Sequence, residues 1–362
     1  MDELFLDMVI WKTQSANRSV AYWVLTGTIM LFIQVLLGGI TRLTGSGLSI
    51  TEWNVITGAI PPINHEQWLA EFAKYKQTPQ FHLLNADFNL SDFKFIFFWE
   101  WFHRLWARLV GVVFIIGFII LLYNRKLKAE MIMPLLILFF LGLLQAAIGW
   151  IMVASGLTGD ALYVQPAKLA LHFIFAIGLI SYAFWFSLKL LLPVTRVRNA
   201  RWIRGFSIGL LALVFLQLLY GALMAGNKAA AVAPNWPRIN GDWIPEKMFS
   251  QSPMLINFIG NKITIHFIHR GLAYLILFGI SIWTVRLFRS GVIRTQRSRL
   301  LFPLILVLLQ IILGILALIT SPGIVANRWV SFDWIALLHQ FNGMLLLFSL
   351  IYAIYVLRPV IK

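Results

Sequence analysis

Cysteine is absent from all 362 residues, which excludes disulfides, thiolate-held zinc and iron–sulfur clusters and leaves any redox chemistry to another cofactor. Charge is scarce too. Only 12% of the residues are Asp, Glu, Lys or Arg, 60% are hydrophobic, and the mean hydropathy is +0.81, outside the range of a water-soluble domain. Acids are the scarcest charged residues: 14 Asp and Glu stand against 30 Lys and Arg, a formal net charge of +16. The placement of that excess, described next, argues against a nucleic-acid partner.

Eight apolar runs reach about 20 residues or more, the length needed to cross a ~30 Å hydrocarbon core. They lie near Val20–Ile40, Phe95–Tyr123, Met131–Val153, Lys168–Leu192, Ile203–Ala225, Ile259–Phe288, Leu300–Thr320 and Ile335–Val356. A membrane β-barrel would need ~10-residue segments of alternating polarity. The sequence therefore predicts an all-α integral membrane protein with eight transmembrane helices. Basic residues crowd alternate connections, with Arg125, Lys126 and Lys128 in the second, Arg196, Arg198, Arg201 and Arg204 in the fourth, and Arg286, Arg289 and Arg294 in the sixth. By the positive-inside rule both termini are cytoplasmic, so the charge encodes topology and contact with lipid. Residues 1–19 carry Asp2, Glu3 and Asp7 and match neither a secretory signal nor a transit peptide, which favours a multi-pass protein of the bacterial inner (plasma) membrane.

The chain reads as one unit written twice. The odd-numbered spans each carry Gln followed one turn later by Gly: Gln34/Gly38, Gln145/Gly149, Gln217/Gly221 and Gln310/Gly314. The even-numbered spans carry histidines, and His103-Arg104 matches His269-Arg270 at nearly the same offset that relates Leu171-His172 to Leu338-His339. This predicts two pseudo-symmetric four-helix bundles, residues 1–195 and 196–362, with the long connections Thr41–Lys94 and Gly226–Phe258 outside. The first connection holds a short amphipathic helix, His65–Lys76, capped by Asn64, with Trp68, Phe72 and Tyr75 on one stripe; it lies on the membrane, caps the bundle, or packs within a solvated loop. His65 and His82 have no counterpart in the repeat and read as solvated.

Two histidine pairs at one depth, His103 with His172 and His269 with His339, suit axial ligation of haem by facing helices. A zinc site would ask for a third or fourth ligand. The glycines offer room for a haem ring, or simply close helix packing. Arg104 and Arg270 follow their histidines where haem propionates would point, though both are also placed to snorkel to the headgroups; Arg42 and Arg108 are further candidates. The repeat breaks at Glu100, one turn before His103, whose counterpart is His266. An intramembrane acid marks function unless it is paired, here with Arg104, and the break suggests that the N-terminal bundle performs chemistry while the other holds a fixed cofactor.

Several segments resemble the haem A synthase family, of the type found in alphaproteobacteria and mitochondria: "GGITRLTGSGLSITEWNVITGAIPPIN" (Gly38–Asn64), "FKFIFFWEWFHRLWARLVG" (Phe93–Gly111), "LHF" around His172, "HFIHRGLAY" (His266–Tyr274) and "LLHQ" (Leu337–Gln340). The resemblance implies an enzyme that oxidises a methyl of haem O to the formyl group of haem A through successive hydroxylations. It further implies that His103 and His172 are axial to the substrate haem, that Glu100 is the essential acid, and that His269 and His339 ligate a haem b cofactor. Some members of the family carry a cysteine pair in the first outer loop; this chain does not. Expected partners are haem O, a protein or quinol electron donor, haem O synthase and oxidase assembly factors; a homo-oligomer stays open. Two other readings fit the four histidines, a di-haem b membrane electron carrier and a haem chaperone or transporter.

Overall fold

Inside a bilayer a backbone must satisfy its own hydrogen bonds, and a continuous apolar run does so as a helix. The computed structural model describes residues 3–54, 57–192, 201–290, 297–325 and 328–358, and all eight apolar runs are helical in it. The α-helices are α1 (Glu3–Leu43), α2 (His65–Tyr75), α3 (Pro79–Leu84), α4 (Leu90–Tyr123), α5 (Ala129–Ala154), α6 (Pro166–Leu191), α7 (Arg201–Gly226), α8 (Asn257–Gly260), α9 (Lys262–Arg289), α10 (Arg297–Leu300), α11 (Phe302–Thr320) and α12 (Ser331–Val356). Of these, α1, α4, α5, α6, α7, α9, α11 and α12 are long and apolar enough to cross a membrane. The protein is an all-α, multi-pass integral membrane protein. The boundary expected at residues 195 and 196 lies outside the described residues.

Caps displace two helix starts from their sequence positions. α4 begins at Leu90 rather than Phe95 because the Asn89 side chain accepts from the N–H groups of Ser91 and Asp92, and Asp92 accepts from the N–H of Asn89 at 3.0 Å. At ~1.5 Å per residue, its 34 residues span about 51 Å, so its first turns rise clear of the hydrocarbon. The run expected from Ile259 is interrupted at Asn261, whose side chain caps Ile263 and Thr264 and separates α8 from α9.

Packing follows the repeat. α1 packs on α4 and α6, and α5 on α6; likewise α7 packs on α9 and α12, and α11 on α12. The two sets meet through α6 with α7, through its two-fold equivalent α12 with α1, and through α6 with α12. The core sits at this junction, with Ile177 and Ile180 of α6, Leu210 of α7, Ile276 and Ile280 of α9, and Leu347 and Leu350 of α12 all buried. Gln340 of α12 crosses the junction and donates to the Val35 carbonyl of α1 at 2.9 Å. One packing relation is broken. α9 lies along α11, whereas the α4 and α5 backbones barely approach and meet through Phe114 and Phe139, ring centroids 6.1 Å apart.

The outward faces stay apolar, as lipid contact requires. Only 6% of the most apolar stretch of α4 is buried within the protein. The amphipathic helix expected near residue 65 is α2, and it caps the bundle: Phe72 and Tyr75 stack on Phe93, and Trp68 meets Phe97 edge-on, both partners being in the first turns of α4. Tyr75 is wholly buried; its hydroxyl donates to Gln80 and accepts from Asn85, and burial pushes the phenol up to about 12. His65 and His82 are exposed, as expected.

The helix contact between α6 and α7 depends on a missing side chain. A Cβ on Gly226 would stand 3.0 Å from the Pro166 Cα at the head of α6, while none of its neighbours comes within 4 Å of a Cβ on Gly178. Gly226→Val should therefore lower stability in detergent by about 1–3 kcal/mol, read as a lower thermal midpoint. Gly178→Ala, which meets no neighbour and adds helix propensity, should not lower that midpoint.

Candidate functional site

The site is assembled from helix pairs. Each histidine faces the Gln and Gly of a neighbouring helix: His103 on α4 faces α1, His172 on α6 faces α5, His269 on α9 faces α7, and His339 on α12 faces α11. The Gln34 amide nitrogen stands 3.2 Å from both ring nitrogens of His103, and donates to the His103 carbonyl at 3.2 Å. Gln145 does the same for His172, at 3.1 and 3.4 Å from the ring nitrogens and 3.0 Å from the carbonyl. Gln310 stands 3.2 Å from His339 Nε2 and donates to its carbonyl at 3.0 Å, and Gln217 stands 3.4 Å from His269 Nε2.

The glycines have a tighter role than the sequence suggested. A Cβ on Gly38, Gly149, Gly221 or Gly314 would meet the Cε1 atom of the opposing imidazole at 3.2, 2.8, 3.4 or 3.0 Å respectively. They leave room for the histidine rings themselves.

The pair on α9 and α12 has its ring centroids 6.3 Å apart. Two imidazole nitrogens each ~2 Å from one metal atom separate the ring centres by roughly 6 Å. Nδ1 of His269 and of His339 is buried without a hydrogen-bond partner. Among the described residues no three His, Asp or Glu side chains gather as a tetrahedral metal site would need. Two facing imidazoles with unused nitrogens are a donor set that fits haem iron.

Glu100, 2% exposed, is the focus of a second network. Its Oε2 accepts from Ser49 Oγ at 2.7 Å and from the Ile50 N–H at 2.9 Å, and its Oε1 accepts from Arg104 Nη2 at 2.6 Å. Arg104 also donates to the carbonyls of Ile50 and Glu52 and stacks over Trp53. The pairing of Glu100 with Arg104 that the sequence left open is thus present. The two side chains strap the connection after α1 down over the His103 end of the bundle. Lys74 of α2 pins the same connection through Glu52 at 3.0 Å and holds that carboxyl below its usual range.

The other half repeats the strap without the acid. His266, fully buried, lies 2.7 Å from the Ala229 carbonyl through Nε2, and Arg270 donates to the carbonyls of Ala233, Asn235 and Arg238. Arg104 and Arg270 therefore bind their own loops. Arg108 likewise donates to the Asn54 carbonyl at 2.9 Å. Arg42, at the end of α1, makes no side-chain hydrogen bond among the described residues, and Asp333 of α12 is the opposite charge that acts on it. Ser49 and Ile50 were not singled out from the sequence; their one signal was membership of the Gly38–Asn64 segment. Asn342, which donates to Gln310 Oε1 at 2.6 Å, carried no signal at all.

Fold and site define a multi-pass helical membrane protein with two repeat-related histidine pairs and a buried acid beside one of them. The family model for the cytochrome oxidase assembly protein matches residues 21–351. A heme A synthase of Flavobacterium johnsoniae is 35% identical over 94% of this chain and 98% of its own length. Those of Paracoccus denitrificans, 38% identical over 93% and 87%, and Beijerinckia indica, 39% identical over 92% and 91%, are similarly related. The chain belongs to the haem A synthase family of cytochrome oxidase assembly proteins.

The straps differ in what their loss exposes. Arg104→Ala leaves a buried carboxylate without its cation, which should cost about 3 kcal/mol and speed proteolysis within residues 44–54. Arg270→Ala strands carbonyls and the Nδ1 of His266, none of them a carboxylate, and should cost less. Thermal midpoints and limited proteolysis of the two variants, side by side, check the difference.

Proposed function

We propose that the chain is a haem A synthase, a membrane oxidoreductase that converts a ring methyl of its substrate haem O to the formyl group of haem A. The names of its relatives support the reaction class. The observation on this chain that carries the reading is the broken repeat: matched histidine cradles, with Glu100 in one half where His266 stands in the other.

In this reading the helices before residue 195 hold the substrate and those after 196 hold a resident haem b. His269 and His339 would hold haem b, and their ring separation and unpartnered nitrogens support that role. When bound, haem b would supply one-electron chemistry at its iron. His103 and His172 flank the iron of haem O. The loose contact between α4 and α5, against the closed α9–α11 pair, suits a lipophilic substrate that enters and leaves from the bilayer while the cofactor stays.

Glu100 acts beside the substrate. Fixed by Ser49, Ile50 and Arg104, it keeps a carboxyl group near the reacting methyl and fastens the strap that shields the pocket from water. Arg42, without a side-chain hydrogen bond among the described residues, is the arginine best placed to receive a propionate, whereas Arg104 and Arg270 carry the straps. The alternation of basic connections supports cytoplasmic termini in a bacterial inner membrane, with the straps outside. The reaction further requires an electron donor, a quinol or a protein, a haem O synthase upstream and oxidase assembly downstream.

Pigment extraction after co-expression with a haem O source tests this. Wild type should yield haem A; Glu100→Ala should accumulate haem O while retaining haem b; His269→Ala should lose haem b. Wild-type haem A levels in Glu100→Ala would refute the role of the acid. Unmodified haem O from the wild type would make the chain a carrier rather than an oxidase.

A further inference from the structure

The amide of each glutamine lies in a particular place. An atom 3.2 Å from both nitrogens of one imidazole cannot lie in the plane of the ring, because Cε1 or the opposite ring bond would then be in collision. The Gln34 nitrogen therefore covers the face of His103, and Gln145, at 3.1 and 3.4 Å, covers that of His172. The same amides are tethered to the backbone of the histidine they cover, through the carbonyls of His103, His172 and His339. One turn along, the glycine meets the Cε1 edge, so closely at Gly38, Gly149 and Gly314 that a Cβ would intrude. A ring with one face covered and one edge against a helix backbone has lost its freedom to turn.

We propose that Gln34, Gln145, Gln217 and Gln310, each with its following glycine, are positioning residues that set the rotation of the four ligand imidazoles, and that Asn342 makes the His339 cradle the rigid one. This rests on the haem ligation proposed above. Asn342 is 2% exposed and donates both to Gln310 Oε1 at 2.6 Å and to the Leu306 carbonyl at 2.9 Å, which fixes the Gln310 amide in one orientation. The repeat puts Phe175 at the matching place in the first half. The carbonyl oxygens of Gln34, Gln145 and Gln217 are buried without a partner, so of the four amides that of Gln310 is the locked one. A fixed cradle on one side of the second pair suits a cofactor that stays. Partners of metal-bound imidazoles fix ring orientation and ligand strength, and their loss typically weakens metal binding by about 10–100-fold.

The test uses the oxidised, haem b-loaded protein and reads the electron paramagnetic resonance g-values, which report the relative orientation of two axial imidazole planes, with midpoint potential and haem retention. Gln310→Leu and Asn342→Leu should each retain haem b, shift the g-values and potential, and lose haem about 10–100-fold faster than wild type. Gln145→Leu should leave the haem b signal at wild type and raise KM for haem O more than it lowers kcat. If Gln310→Leu fails to fold, Gly314→Ala serves in its place, since its methyl meets His339 Cε1 at 3.0 Å. Wild-type g-values and potential in both C-terminal cradle variants would overturn the proposal. His339→Ala separates the two levels: if it keeps a low-spin haem, the ligand assignment itself fails, and if it loses that haem while Gln310→Leu stays wild type, only the cradle fails.

Discussion

A histidine set between membrane helices has to be held by a neighbouring helix, because hydrocarbon offers its ring nothing. Here the holder is a glutamine amide, over the ring face at His103 and His172 and beside Nε2 at His269 and His339, with a glycine at the ring edge. The rest of the architecture follows from this contact. It fixes which helices pair, α1 with α4, α5 with α6, α7 with α9 and α11 with α12, and the pairing recurs because the sequence recurs. It also sets the close approach of those helices, since a side chain at Gly38, Gly149 or Gly314 would press on the imidazole and one at Gly221 would touch it.

On that symmetric frame the two halves diverge in three places. Glu100 stands where His266 does, so one strap is held by an ion pair and the other by neutral contacts. α4 and α5 part where α9 and α11 pack. Asn342 locks one cradle where Phe175 cannot. The first two differences support the proposed division, a first half for something mobile and reactive and a second for something held still, and the third fixes the His339 cradle alone. Gln340, donating across the junction beside His339, keeps the halves in register.

Much of this was legible before any coordinates. The eight spans follow from hydrophobic length alone, and their ends moved: α1 starts at Glu3 rather than Val20, α12 at Ser331 rather than Ile335, and at Asn89 and Asn261 side-chain caps override the apolar pattern. The repeat exposed the four histidines and the Gln–Gly spacing, but a pattern along one helix does not say which ring on the next helix it will meet. Glu100 and Arg104 were legible as neighbours one turn apart; Ser49 and Ile50 were not, because a connection folding back from about 50 residues upstream brings them in. The short α2 was recognisable as amphipathic, and only the aromatic faces of Phe93 and Phe97 decide that it caps the bundle.

The central claim is that two cradled histidine pairs define two haem positions, one permanent and one exchangeable. Locating iron by anomalous scattering, in crystals grown with and without added haem O, tests it most directly. The account predicts one iron between His269 and His339 in both, and a second between His103 and His172 only when haem O is present. A single site under both conditions, or an iron away from these pairs, would contradict it.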